Sequence, residues 1–187
     1  MKRCAWCGDD PLYVAYHDLE WGVPMRDGQA LWETLVLEGF QAGLSWITIL
    51  RKRENFRAAF AGFDPVIVAT WGEKEVADLM LNSGIVRHRG KIEATIKNAQ
   101  IYLEIESAEG FADFIWGMVP GAPLQNLPRD APDVPATTDV SVALSKALKK
   151  RGFKFCGPTT VYAFMQAAGL VNDHMHGCFR QAEVARD

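Results

Sequence analysis

No stretch of this 187-residue chain approaches the run of about 18 apolar residues that a membrane-spanning helix needs. Its opening, MKRCAWCGDD, has no apolar segment of the kind that marks a secretory signal. The sequence therefore reads as cytoplasmic, with no membrane partner. In that reducing compartment its four cysteines are expected to serve packing or metal binding rather than disulfides. Basic charge is not in excess. Lys and Arg number 20 against 23 Asp and Glu, for a net charge of −3, which argues against a general polyanion binder. Period-2 alternation and internal repeats are missing too, which excludes sandwiches, barrels and solenoids.

What is present reads as helices. DGQALWETLVLEGF (27–40) starts with Asp27 as N-cap and carries Leu31 and Leu35 along one face. Ser45 can cap a helix over 45–63. Asp64 and Pro65 suit N-cap and N1. Helical spacing continues over 73–84, 89–106 and 110–119. Residues 120–138 then hold five of the nine prolines and read as an extended connection, not an element. Asp139 is expected to cap the next helix, and Pro158 to open the last one, over 158–171. The length and pattern predict an all-α fold in one domain spanning 1–187.

Three clusters carry chemistry. The first is at the termini. Cys4, Cys7 and His17 lie near the start, and His174, His176 and Cys178 near the end. Zinc commonly takes four thiolate and imidazole ligands, so two from each terminus would staple ends that otherwise fray. Cys4 and Cys7 have knuckle spacing, and His174 and Cys178 face alike on a helical turn. Spacing alone leaves the choice of four open. No H-E-x-x-H is present, so a closed, structural site is favoured over a catalytic one.

The second cluster is basic. SKALKKRGFK (145–154) holds five basic residues and no acid, and RKR (51–53) and VRHRGK (86–91) add more. Such runs are usually solvated helix faces. In KKRGFKFCGPTT, however, Gly152 and Gly157 bracket a short turn before a helix start. Glycines free that backbone for positive φ, and N–H groups at a helix N-terminus favour phosphate. Lys149, Lys150, Arg151 and Lys154 add charge to what would be a helix-hairpin-helix grip.

The third is Glu38, within WETLVLEGFQAGLSW (32–46), accompanied by Trp6, Tyr13, Tyr16, Trp21 and Trp46. Aromatic rings with one carboxylate suit a flat cationic heteroaromatic ligand. The bland alternative places the rings in the core and Glu38 on the surface.

The stretches DPLYVAYHDLEWGVP (10–24), LEGFQAGLSWITILRKRENFR (37–57), IVRHRGKIEATIKNA (85–99) and SKALKKRGFKFCGPTTVYAFMQAAGLVNDH (145–174), with the closing His174–Cys178 pair, resemble the bacterial DNA-3-methyladenine glycosylases I of the Tag type. The resemblance runs over roughly residues 3 to 179. It implies the helix-hairpin-helix glycosylase fold and one structural Zn2+ on Cys4, His17, His174 and Cys178. It implies a base pocket of Glu38 and Tyr16 for hydrogen bonding and Trp46 for stacking, with Trp6, Tyr13 and Trp21 as walls. Gly43 and Leu44 would wedge into the duplex, and Lys150, Gly152, Lys154, Gly157 and Thr159 would hold its phosphates. The implied activity is release of 3-methyladenine from alkylated double-stranded DNA by a monomer. A lysine placed as a Schiff-base nucleophile is not evident, Lys154 being the one candidate, so the hydrolase is expected to be monofunctional. Asp173, where the wider superfamily often carries a catalytic aspartate, receives no role. The competing classes are a zinc-stapled DNA-binding module without catalysis and a purine-binding protein unrelated to repair.

Overall fold

A computed structural model describes residues 1–120 and 123–185. Residues 121–122 of the proline-rich connection and 186–187 at the C-terminus lie outside the described residues. The chain is helical nearly throughout: α1 (Pro11–Leu19), α2 (Gly28–Gln41), α3 (Trp46–Ala59), α4 (Pro65–Val68), α5 (Glu73–Leu81), α6 (Arg89–Glu109), α7 (Phe111–Gly117), α8 (Asp139–Arg151), α9 (Pro158–Ala167) and α10 (Phe179–Glu183). Short 3-10 turns cover Ala5–Cys7, Ala61–Phe63 and Ala131–Asp133.

α2 is the central element. Residues 35–40, LVLEGF, are all buried, and the helix packs against α3, α6 and α9. A helix segment enclosed on every side needs apolar residues on every face, and this run supplies them with Glu38 as its one polar member. Phe40, Phe56, Phe60 and Phe63 form a ring stack between α2 and the end of α3, with Phe40 and Phe56 centroids 4.8 Å apart. Val161, Phe164 and Met165 of α9 complete the core from the other side.

Several helix ends fall where local chemistry places them. The Asp27 carboxylate accepts from Ala30 N, and Asp64 accepts from Val66 N ahead of Pro65. The same Asp–Pro signal opens α1, where Asp10 accepts from Leu12 N and Tyr13 N; no element was expected there. Ser45 occupies the N-cap of α3, but its hydroxyl meets Thr48 Oγ1 at 2.8 Å and makes no backbone cap. α3 stops at Ala59 rather than 63, since Ala61 and Phe63 turn left-handed. α9 stops at Ala167 because Gly169, at φ +69°, reverses the chain; a Cβ there would sit 2.4 Å from the Val23 carbonyl carbon.

Two expectations are corrected. Asp139 is the first helical residue of α8 and not its cap. Thr138 is the cap: its hydroxyl accepts from Ser141 N, while Ser141 Oγ accepts from Thr138 N, a reciprocal capping box. Thr138→Ala is expected to lower stability by about 1 kcal/mol, read as a shift in the urea midpoint. The proline-rich connection also contains elements. Leu124–Gln125 (β1) pairs in parallel with Val171–Asn172 (β2), and Ala131–Asp133 forms a 3-10 turn. The pairing is extended by Asn126 N donating to Asn172 O and His176 N to Pro128 O. No helix among the described residues is long and apolar enough to cross a membrane.

Candidate active site

Glu38 sits in the last complete turn of α2 and is 4% exposed. Burial pushes its carboxyl up to about 8. Among the described residues no ion pair or hydrogen bond holds it. It opens instead into a cavity of about 290 Å3 that is also lined by Trp6, Tyr13, Tyr16, Trp21 and Trp46. The surface position considered for Glu38 is thus overturned, because the helix carrying it is enclosed on all sides. A buried carboxyl without a partner is costly, and its natural use is to meet a ligand.

The aromatic walls come from three segments. Tyr16 lies on α1, and its ring centroid is 5.5 Å from that of Trp46, at the start of α3. Trp6 is the hub, 4.9 Å from both Tyr13 and Trp21. Burial, and then the nearby Glu38 charge, raise the Tyr16 hydroxyl well above its ordinary range, so it keeps its proton. Asp173, left without a role by sequence reasoning, also lines the cavity, and Gln41, Ala131, Val134, Ala163, Gln166 and Met175, missed by that reasoning, complete it. Gln41 alone carried a signal, being one turn beyond Glu38. Asp173 accepts from Tyr162 Oη at 2.6 Å, Gln166 Nε2 at 2.8 Å and Asn126 Nδ2 at 2.8 Å. That network draws the proline-rich connection against the cavity.

Behind Trp6 and Trp21 the two termini meet. Ligand atoms of Cys4, His17, His174 and Cys178 lie within 4.8 Å of one another, and all four residues are buried. Cys178 Sγ is 3.4 Å from His17 Nε2 and 3.6 Å from His174 Nδ1, and Cys4 Sγ is 3.7 Å from His174 Nδ1. A tetrahedral ion with ordinary zinc bond lengths separates S and N ligands by about 3.5 Å, so the group can close on one ion. The far ring nitrogens are also held. His17 Nδ1 meets Asp18 Oδ1 at 2.8 Å, and His174 Nε2 meets Trp21 O at 3.0 Å. Arg3 in turn grips Asp18, holding its carboxyl down at about 2. Such outer partners fix the tautomer of a ligating imidazole. Burial lowers His17 and takes His174 down to about 4, which keeps both rings neutral as ligands must be. Burial pushes the Cys4 thiol up to about 12, a state that a bound divalent cation would reverse.

Cys7 points away, its Sγ donating to Cys4 O at 3.2 Å, and His176 is exposed. His174 and Cys178 do converge, though not on a helix. They flank a turn in which Cys178 N donates to Met175 O and Gly177 takes φ +81°.

The basic turn follows α8. Gly152 is left-handed at φ +104°, and its N–H bonds to Leu148 O and Lys149 O. Gly157 is not left-handed: φ is −63°, and the second positive φ belongs to Phe155, at +55°. Gly157 is the N-cap of α9 and has no side chain to cap it, so first-turn N–H groups at Thr159 and Thr160 are left for another acceptor. Lys149, Lys150, Lys154 and Thr159 are exposed, while Arg151 pairs with Glu109. The loop after α2 presents Gly43, at φ +87°, and Leu44, 42% exposed. Other basic runs are spent on structure. Arg51 pairs with Asp10, Arg53 with Glu20 and Arg89 with Glu73, and Lys91 is buried.

The chain that builds this helical frame and its aromatic, acid-bearing cavity is a glycosylase by family: it belongs to the methyladenine glycosylase family, whose family model matches residues 6–181. It is of the bacterial Tag type. The DNA-3-methyladenine glycosylase 1 of Escherichia coli (strain K12) is 56% identical over 179 residues, covering 95% of this chain and 96% of that protein. A crystal structure of a 3-methyladenine DNA glycosylase I superposes with a TM-score of 0.93 at 56% identity, covering 95% of this chain and 98% of that one. A variant of another, solved in complex with 3-methyladenine, gives 0.93 at 43% identity, covering 97% and 98%.

Proposed function

We propose that this chain hydrolyses the N-glycosidic bond of 3-methyladenine in alkylated double-stranded DNA and leaves an abasic site. The observation that carries the reading is a buried carboxyl with no protein partner, facing a cavity walled by tryptophan and tyrosine. A base inside a duplex is out of reach, so the nucleotide is flipped out. Alkylation at N3 makes the attached adenine cationic. When the bond breaks, its electron pair passes to the base, which leaves as neutral 3-methyladenine. Water adds to the anomeric carbon, and its proton passes to solvent. Little acid catalysis is needed for so good a leaving group. Glu38 and Tyr16 hydrogen-bond the base, Trp46 stacks on it, and Trp6, Tyr13 and Trp21 enclose it. Glu38 also favours positive charge through space.

In this reading Gly43 and Leu44 fill the gap left by the flipped nucleotide. Lys150, Gly152, Lys154, Gly157 and Thr159 hold phosphates as a helix-hairpin-helix grip. Cys4, His17, His174 and Cys178 hold one structural Zn2+, which supplies no chemistry to the reaction and keeps the termini joined. The chain works as one domain and as a monomer in the cytoplasm. No lysine lines the cavity among the described residues, which supports a monofunctional hydrolase.

The test is release of free base from duplex DNA treated with a methylating agent, separated by chromatography. Release of 3-methyladenine with little 7-methylguanine is expected. No release from folded, metal-loaded protein would move the assignment to a DNA-binding module. Binding of free 3-methyladenine with no effect on DNA would favour a purine-binding protein.

A further inference from the structure

Lys91 is a buried cation that the reaction does not use. It lies in the first turn of α6, and only 8% of it is exposed. Both facts weigh against an ammonium there. Burial lowers its pKa, and a helix N-terminus repels positive charge. The side chain instead crosses to the C-terminal end of α2, where Nζ donates to Phe40 O at 3.0 Å and to Ala42 O at 3.1 Å. That end needs a donor. α2 leaves through Ala42 at φ −49° and ψ 116°, without the left-handed glycine that commonly closes a helix. The ammonium takes the place of that closure.

The two carbonyls it grips bracket Gln41, which starts the loop presenting Gly43 and Leu44. Beyond Ala42 the hydrogen bonds of the loop among the described residues are local: Leu44 N donates to Gln41 O at 2.7 Å, Gln41 Nε2 to Leu44 O at 3.1 Å, and Ser45 Oγ meets Thr48 Oγ1 at 2.8 Å. Farther along α6, Asn98 holds the basic turn by both amide atoms, accepting from Lys154 N at 3.0 Å and donating to Lys154 O at 3.1 Å. Lys91 and Asn98, seven residues apart, share one face of α6. Between their attachments α2 and the turn nearly touch: a Cβ on Gly39 would sit 3.3 Å from Phe155 O.

We propose that Lys91 is a positioning residue that fixes loop 42–45 relative to the phosphate-gripping turn, so that Leu44 meets the duplex where a nucleotide has left the stack. The inference rests on the function proposed above. Its signature is selective: the loop engages only at a gap, the basic turn engages any duplex, and the cavity engages free base.

Three affinities separate these contacts in Lys91→Met: an intact duplex, the same duplex with a tetrahydrofuran abasic-site analogue, and free 3-methyladenine read by tryptophan fluorescence. The preference for the abasic duplex over the intact one is expected to fall about tenfold, the size of losing hydrogen bonds to a charged donor. The other two affinities are expected to stay within about twofold, inside the scatter of a conservative change. Lys91→Gln, a polar side chain one atom too short to span both carbonyls and without the charge, serves if Met destabilises the fold, with the same selective loss expected. An unchanged abasic preference, or a parallel fall in all three affinities in either folded variant, would overturn the proposal. Wild-type protein that releases 3-methyladenine without preferring the abasic duplex would overturn it while leaving the proposed function standing. Wild-type protein that releases none would overturn both.

Discussion

Glu38→Gln is expected to lower the rate of 3-methyladenine release by about 10²-fold while leaving DNA affinity unchanged. The substitution keeps the size but fixes the group as a neutral amide, which cannot give up a proton and meet a cationic base as a carboxylate. DNA affinity survives because the basic turn and loop 42–45 do not touch Glu38. Single-turnover release and duplex binding, measured side by side, separate the two. A matching loss of DNA binding would make Glu38 a structural residue.

The same variant should gain stability in alkali. The Glu38 carboxyl ordinarily titrates near 4.5, and burial takes it to about 8 in the folded protein. Below 4.5 both states are protonated and the ionisation of Glu38 costs nothing. Between 4.5 and about 8 the unfolded chain ionises while the folded one keeps its proton, so stability falls as pH rises. Above that the penalty is constant, on the order of 5 kcal/mol. Glutamine does not titrate. Melting temperatures of the two proteins should therefore nearly coincide at pH 5, with Glu38→Gln higher at pH 9. This is the stability–activity conflict expected at a functional site.

Removing one metal ligand should have the next largest effect. His17→Ala is expected to lose bound zinc and to melt about 10 °C lower, whereas Cys7→Ser keeps one ion per chain. The contrast follows from geometry: His17 Nε2 faces Cys178 Sγ, while the Cys7 thiol turns to a backbone carbonyl. Free-base affinity should fall in His17→Ala as well. Trp6 packs on the His17 ring at 5.3 Å and Trp21 on the His174 ring at 4.7 Å, so two cavity walls rest on the cluster. Elemental analysis, melting and fluorescence titration check these outcomes. Loss of metal in Cys7→Ser with retention in His17→Ala would refute the ligand set.

Much of this was legible in sequence because periodicity and capping are local. The Asp27 cap with Leu31 and Leu35 on one face marked the helix over 27–40, and the Asp64–Pro65 pair marked a helix start. The same Asp–Pro signal at residues 10–11 went unused, although it opens the helix that carries Tyr16 and His17. What the sequence withheld was long-range. Nothing local tells that Lys91 leaves its basic run to cap a helix about 50 residues earlier. Nor does proline content announce that residues 131–134 wall the cavity, since that depends on Asn126 meeting Asp173 across the fold. Spacing suggested a helical turn for His174 and Cys178; a glycine-based turn brings them together instead. Choosing among six possible ligands needed either coordinates or a family resemblance.

The junction of the two ends also sets an order of events during synthesis. Cys4 and His17 leave the ribosome first, and their partners His174 and Cys178 come last. At about 5–20 residues per second the wait is on the order of ten to thirty seconds. Until then Trp21 has no His174 ring against it, and the cavity lacks Asp173 and Met175 from its lining. Under the proposed function, a chain cut before His174 is expected to carry Glu38, the loop and the basic turn and yet to bind free 3-methyladenine poorly. On that reading competence is expected to arrive with His174 and Cys178, and a chain lacking them would leave the bases of the genome uncut.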